Sequence, residues 1–159
     1  MRTYLVAAAA ALSVLGGLYM VQPAPAAGTP AVYTSGKADF GADLGAGGYD
    51  TVAYQSEAAA KAGKKEFVHQ WNGATWQFSS AENLEKFKAN PASYAPQYGG
   101  SCAYGVSQGA TAPGDPKLWA VVGGKLYLNL NPDVQETWNK DRAGYIAAAE
   151  KNWPTVLGN

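Results

Sequence analysis

The sequence predicts an α+β domain: a small antiparallel sheet of hairpins packed with short helices. Three observations lead there. Strand-like runs at 67–71 and 74–78 flank Asn72-Gly73, a dipeptide that favours a tight hairpin turn. A second pair, 119–122 and 125–130, flanks Gly123-Gly124. Helix-start signals follow each pair, and no strand–helix–strand alternation of a parallel sheet is present.

Length and charge narrow the field before any motif is read. The chain has 159 residues, enough for one self-sufficient core. Twelve basic residues balance twelve acidic ones, and only 15% of residues are charged. Nucleic acid is thereby excluded as a partner, since it needs concentrated Lys and Arg, and so is electrostatic capture by anionic lipid.

Taken in order, Met1-Arg2-Thr3 is a short basic start, an uncharged apolar stretch runs over 4–21, and Ala24-Pro25-Ala26 fits a small-x-small cleavage site. Residues 1–26 read as a secretory signal peptide removed after Ala26, which leaves a periplasmic or secreted chain with no stable membrane insertion. Residues 27–48 are rich in Ala, Gly, Ser, Thr and Pro and read as a linker or N-terminal arm. Gly45-Ala46-Gly47-Gly48 looks unable to hold a regular element, and Val32-Tyr33 could add an edge strand.

Residues 49–159 form the single expected domain. Residues 49–54 read as a turn leading into a short strand, and 57–65 as a helical turn. In the first hairpin Trp76 and Phe78 alternate with Gln77, so one face is buried. Ser79 with Glu82 makes a capping box for a helix over 80–89, with Leu84 and Phe87 on one face and Asn90-Pro91 as the stop. Residues 110–116 read as loop. In the second hairpin Leu126, Leu128 and Leu130 share one face, Tyr127 and Asn129 the other. Asn131 caps the next helix with Pro132 at its first position, and Asp141 restarts a helix to about 152. Val134, Trp138, Tyr145, Ile146 and Trp153 are candidate core contacts.

The segment 76–87, followed by Asn90-Pro91 and Tyr94, resembles the YHS domain, whose core runs aromatic-x-Phe-Cys-Ser, a second cysteine, a phenylalanine, then Asn-Pro and Tyr. The longer pattern is similar to exported bacterial YHS domain-containing proteins. It adds residues 71–76, Tyr98-Gly99-Gly100, Cys102-Ala103-Tyr104 and Asn152-Trp153-Pro154, and so covers nearly the whole mature chain. The resemblance implies a YHS-like fold. It does not carry over the family's metal-binding cysteines, whose positions fall on Ala53, Ser79 and Asn83. The exported subfamily places its thiol where Cys102 stands, with selenocysteine there in some members. That implies redox or nucleophilic chemistry at this position.

Three functional readings follow. Cys102 is the only cysteine of an exported chain, and an odd cysteine there suggests a reactive thiol, a ligand or an intermolecular partner. The first reading is thiol redox chemistry at Cys102, catalytic or not. Tyr98, Gly99, Gly100 and Tyr104 would be its binding surroundings, with the Tyr98 and Tyr104 phenols donating hydrogen bonds to it, and a small molecule or redox protein its partner. The second is a copper or zinc module using Cys102 with His69, the one histidine. The third is a non-catalytic domain that binds a ligand or partner, with tryptophans lining a groove rather than filling the core. A packed, inert thiol is the plain alternative to the first two.

Overall fold

The computed structural model describes residues 44–156. The expected signal peptide, the arm as far as residue 43 and the strand at Val32-Tyr33 lie outside the described residues. The fold is α+β, as expected. Among the described residues, two separate two-stranded antiparallel sheets pack with six helices.

The first sheet pairs β1 (Lys64–Trp71) with β2 (Ala74–Phe78) around Asn72-Gly73, both in the left-handed region. Along β2 the buried Ala74, Trp76 and Phe78 alternate with half-buried Thr75 and Gln77, the period-two pattern the sequence carries. Trp76 and Phe78 meet Phe87 of α2 (Ala81–Ala89), with ring centroids 5.2 and 4.9 Å apart. The helix start differs from the expected box by one residue. Ser80 is the cap, its hydroxyl accepting from the Asn83 N–H, because Ser79 is engaged elsewhere. Asn90 ends α2, and Pro91 opens the one-turn α3 (Pro91–Tyr94).

Upstream, the structure corrects three expectations. Gly45–Gly48 is not a loose arm but a tight 3-10 turn. Its Gly45 lies against the Trp76 ring so closely that a Cβ would stand 2.7 Å from it. Residues 49–54 enter a short helix, α1 (Ala53–Ser56), rather than a strand. The reason is Asp50, whose Oδ1 accepts from the Val52 and Ala53 N–H groups and satisfies the helix start. The run 57–65 is not helical: Glu57 ends α1 and Lys64 begins β1.

After a second 3-10 turn, Gln97–Gly100, comes α4 (Ala103–Ser107). The second sheet pairs β3 (Asp115–Val122) with β4 (Lys125–Asn129). Both faces of β4 are covered: Leu126 and Leu128 pack with Tyr54, while Tyr127 joins Tyr98 and Trp138. The Asn131 side chain caps α5 (Pro132–Lys140) as expected, and α6 (Arg142–Val156) runs on past the expected end through Pro154. Trp138 is buried in a core cluster against which Tyr145, Ile146 and Trp153 also pack.

The second half repeats the first element by element. Each opens on a four-residue 3-10 turn with three consecutive left-handed residues, Ala46-Gly47-Gly48 and Tyr98-Gly99-Gly100. An isolated antiparallel bridge follows in each, Tyr49 to Ala62 and Ser101 to Pro113. The Asp50 N–H donates to the Lys61 carbonyl as the Cys102 N–H donates to that of Ala112, both at 2.8 Å. The hairpins match in length and share a register break after the first pair, Lys64 with Phe78 and Asp115 with Asn129. Nine-residue helices follow, each burying one aromatic, Phe87 or Trp138. Asn90 and Asp141, which separate these helices from the next, have nearly the same backbone angles. Tyr54 ties the halves together: its phenol donates to the Pro116 carbonyl at 2.7 Å and its ring lies 5.1 Å from that of Trp119.

Candidate functional site

The repetition puts Asp50 and Cys102 at equivalent places, each just after a glycine turn and at the start of a short helix. Both are buried. The two environments differ in how completely their polar groups are paired.

Asp50 is saturated. Its Oδ1 accepts from Val52 and Ala53 N–H at 3.0 and 3.2 Å. Its Oδ2 accepts from Ser79 N–H at 2.8 Å, Ser79 hydroxyl at 2.6 Å and Asn83 Nδ2 at 2.7 Å. Five donors on one carboxylate stabilise a buried charge that would otherwise be prohibitive. Through it α1, the end of β2 and α2 are held together. Sequence reasoning passed over this residue. The available signal was an aspartate two positions after a glycine run, with Ser79 and Asn83 left without a metal role.

Cys102 is 1% exposed. Its Sγ accepts from the Gly105 N–H at 3.4 Å and donates to Asn129 Oδ1 at 3.7 Å. A second donor, the Tyr104 N–H, reaches the same Oδ1 at 3.4 Å. Asn129 is wholly buried at the end of β4, and its Nδ2 has no hydrogen-bond partner among the described residues. An unpaired buried donor of that kind costs about 1–3 kcal/mol. The site is therefore a thiol against an amide with one donor to spare. Asn129 too escaped the sequence reading, although a polar residue closing the apolar run Leu126-Tyr127-Leu128 was a usable signal.

The residues expected around the thiol divide. Gly99 and Gly100 shape the turn with φ of 61° and 88°, and the Gly100 carbonyl accepts from Gly114 N–H. Tyr104 contributes its backbone N–H, while its ring packs on Tyr145. Tyr98 does not turn its phenol to the thiol. Its hydroxyl donates to the Ile146 carbonyl at 3.4 Å, and its ring lies between Tyr127 and Trp153. Burial, with a smaller push from Tyr127, raises that phenol well above the ordinary tyrosine value. The expected hydrogen-bonding role of the two phenols thus falls to Gly105 N–H and Asn129.

His69 is placed elsewhere. It pairs with Trp76 across the first sheet, its ring 6.2 Å from that of Phe87. Partial burial first, then the Lys88 ammonium, lower its pKa from the ordinary value, against an opposing pull from Glu85. Cys102 instead bridges to Leu128 of the second sheet. Among the described residues no group of three or more His, Cys, Asp or Glu is placed to hold a metal ion. His69 and Cys102, the residues expected to share copper or zinc, are thus associated with different sheets. Trp76 and Trp138 are core residues, and Trp71 and Trp119 are partly buried against the core. No helix among the described residues is long and apolar enough to cross a membrane.

No family model, no characterised protein and no solved structure matches the chain.

Proposed function

We propose that this is an exported YHS-like protein whose single thiol, Cys102, is a redox-responsive site. The observation that carries the reading is the pairing of Cys102 Sγ with the Asn129 amide, which keeps a buried donor unpaired beside it. An inert packed thiol needs only apolar neighbours. This one contacts a backbone N–H and an amide, groups that respond to a change in the charge or oxidation state of sulfur.

Burial sets the manner of reaction. With Cys102 1% exposed, its encounter with an oxidant is limited to small molecules such as hydrogen peroxide or to moments of local opening. With no second cysteine in the chain, oxidation leads to a sulfur oxyacid or an intermolecular disulfide, not an internal one. The test is to treat the native chain lacking residues 1–26 with hydrogen peroxide and locate added oxygen by mass, alongside alkylation across pH. Oxygen at Cys102 under native conditions is the expected result. A thiol that takes up neither oxygen nor alkylating reagent until denaturant is added is a packing residue. The redox reading then fails, and a non-catalytic binding domain replaces it.

A further inference from the structure

We infer that the Cys102 pocket is an oxyanion site, so that the stable oxidised form of this thiol is the sulfinate. The inference rests on the reading of Cys102 as oxidisable, but it is carried by a different comparison. At the equivalent place in the first half stands Asp50, a two-oxygen anion on a single methylene. A cysteine sulfinate has the same outline, two oxygens on one atom beyond Cβ.

The backbone donors correspond as well. In the first half the N–H groups two and three residues on, Val52 and Ala53, meet one oxygen of Asp50. In the second half the same positions are Tyr104 and Gly105. The Gly105 N–H already points to Sγ, and the Tyr104 N–H to the Asn129 oxygen that contacts Sγ. On the other oxygen of Asp50 sit Ser79 and Asn83. The positions equivalent to Ser79 and Asn83 are Leu130 and Val134, which bring no side-chain donor; the donor comes instead from Asn129, at the position of Phe78, whose Nδ2 is wholly buried and unpaired among the described residues. The reduced thiol leaves that donor unused. An oxyanion on sulfur accepts from Tyr104 N–H and Gly105 N–H with one oxygen, and from the Asn129 amide, turned about its last bond, with the other.

The oxidant is hydrogen peroxide, and the steps balance. Sulfur attacks the peroxide, the O–O bond breaks, one oxygen joins sulfur, and water leaves with the thiol proton. The resulting sulfenic acid attacks a second peroxide in the same way, giving sulfinate, water and a released proton. Sulfur loses two electrons in each step, and each peroxide gains two.

The pocket is tested by substitution without any oxidant, comparing Cys102→Asp with Cys102→Ala, each alone and with Asn129→Leu. The expected result is that Cys102→Asp melts about 4 °C above Cys102→Ala. That lead should vanish when Asn129 is leucine. Cys102→Asp melting at or below Cys102→Ala, failing to fold where Cys102→Ala folds, or keeping its lead without Asn129 overturns the inference. In a second arm, peroxide-treated native chain carrying two added oxygens at Cys102 should melt no lower than untreated chain. A lower melting temperature also overturns it. A chain that takes up no oxygen overturns the redox reading instead, while the substitutions still decide the pocket.

Discussion

Asp50 and Cys102 make the residue-scale contrast: one backbone setting holds a saturated carboxylate in one half and an under-paired thiol in the other. Asp50→Ala strands several buried donors at once, so it should cost roughly 3 kcal/mol or more of unfolding free energy, read from denaturant titration. A loss under about 1 kcal/mol would mean water replaces the carboxylate. His69 gives a pH-dependent prediction. Its pKa is lowered in the folded chain from the ordinary 6.5, so the unfolded chain takes up the proton first as pH falls. The group therefore contributes stability that is fully present above pH 6.5 and is lost as pH falls through the lowered folded value. Between about pH 7.5 and about pH 5 the denaturation midpoint should fall further in the native sequence than in His69→Gln. Parallel curves would remove His69 from the account.

At the scale of elements, two glycines hold the two hairpins to their turns. A Cβ on Gly63 would stand 2.5 Å from the Gln77 backbone carbon, and one on Gly114 would stand 2.5 Å from Leu128 Cβ. Gln77 and Leu128 are equivalent positions on β2 and β4. Gly63→Ala and Gly114→Ala should therefore each destabilise by about 1–3 kcal/mol, since the strand beneath must shift. Gly63 and Gly114 adopt no left-handed conformation, so the cost is crowding alone. Alanine tolerated at either position would break the structural equivalence. The hairpin turns and the Asn131 cap were readable because they depend on near neighbours only. The box at Ser79 was misread by one residue, because Ser79 is claimed by Asp50, far away in sequence.

Across the whole molecule, the two halves meet through Tyr54, Leu126 and Leu128, with Trp119 packed against them. Tyr54→Phe loses one buried hydrogen bond and should cost about 1 kcal/mol, leaving Pro116 without its donor. Tyr54→Ala empties the junction and should cost about 3–5 kcal/mol. If the halves fold as one unit, probes near Trp76 and near Trp138 report a single shared transition. Separate transitions in the native sequence would show that Tyr54 couples the halves weakly.

The sequence by itself determined the α+β class, the two hairpins, a helix after each of them and the prominence of Cys102. These rest on turn dipeptides, alternation and caps, which act over a few residues. Only the tertiary structure decided that the domain is an internal repeat. Equivalent positions hold Trp76 and Tyr127, Phe87 and Trp138, Asp50 and Cys102, so backbone geometry is kept while side chains are not. It also decided the thiol's surroundings: Tyr98 turns to α6, His69 stays with the first sheet, and Asn129 arrives from β4. Hydrogen bonds between residues far apart in sequence are chosen by packing, because a buried polar group pairs with whatever the fold brings within reach.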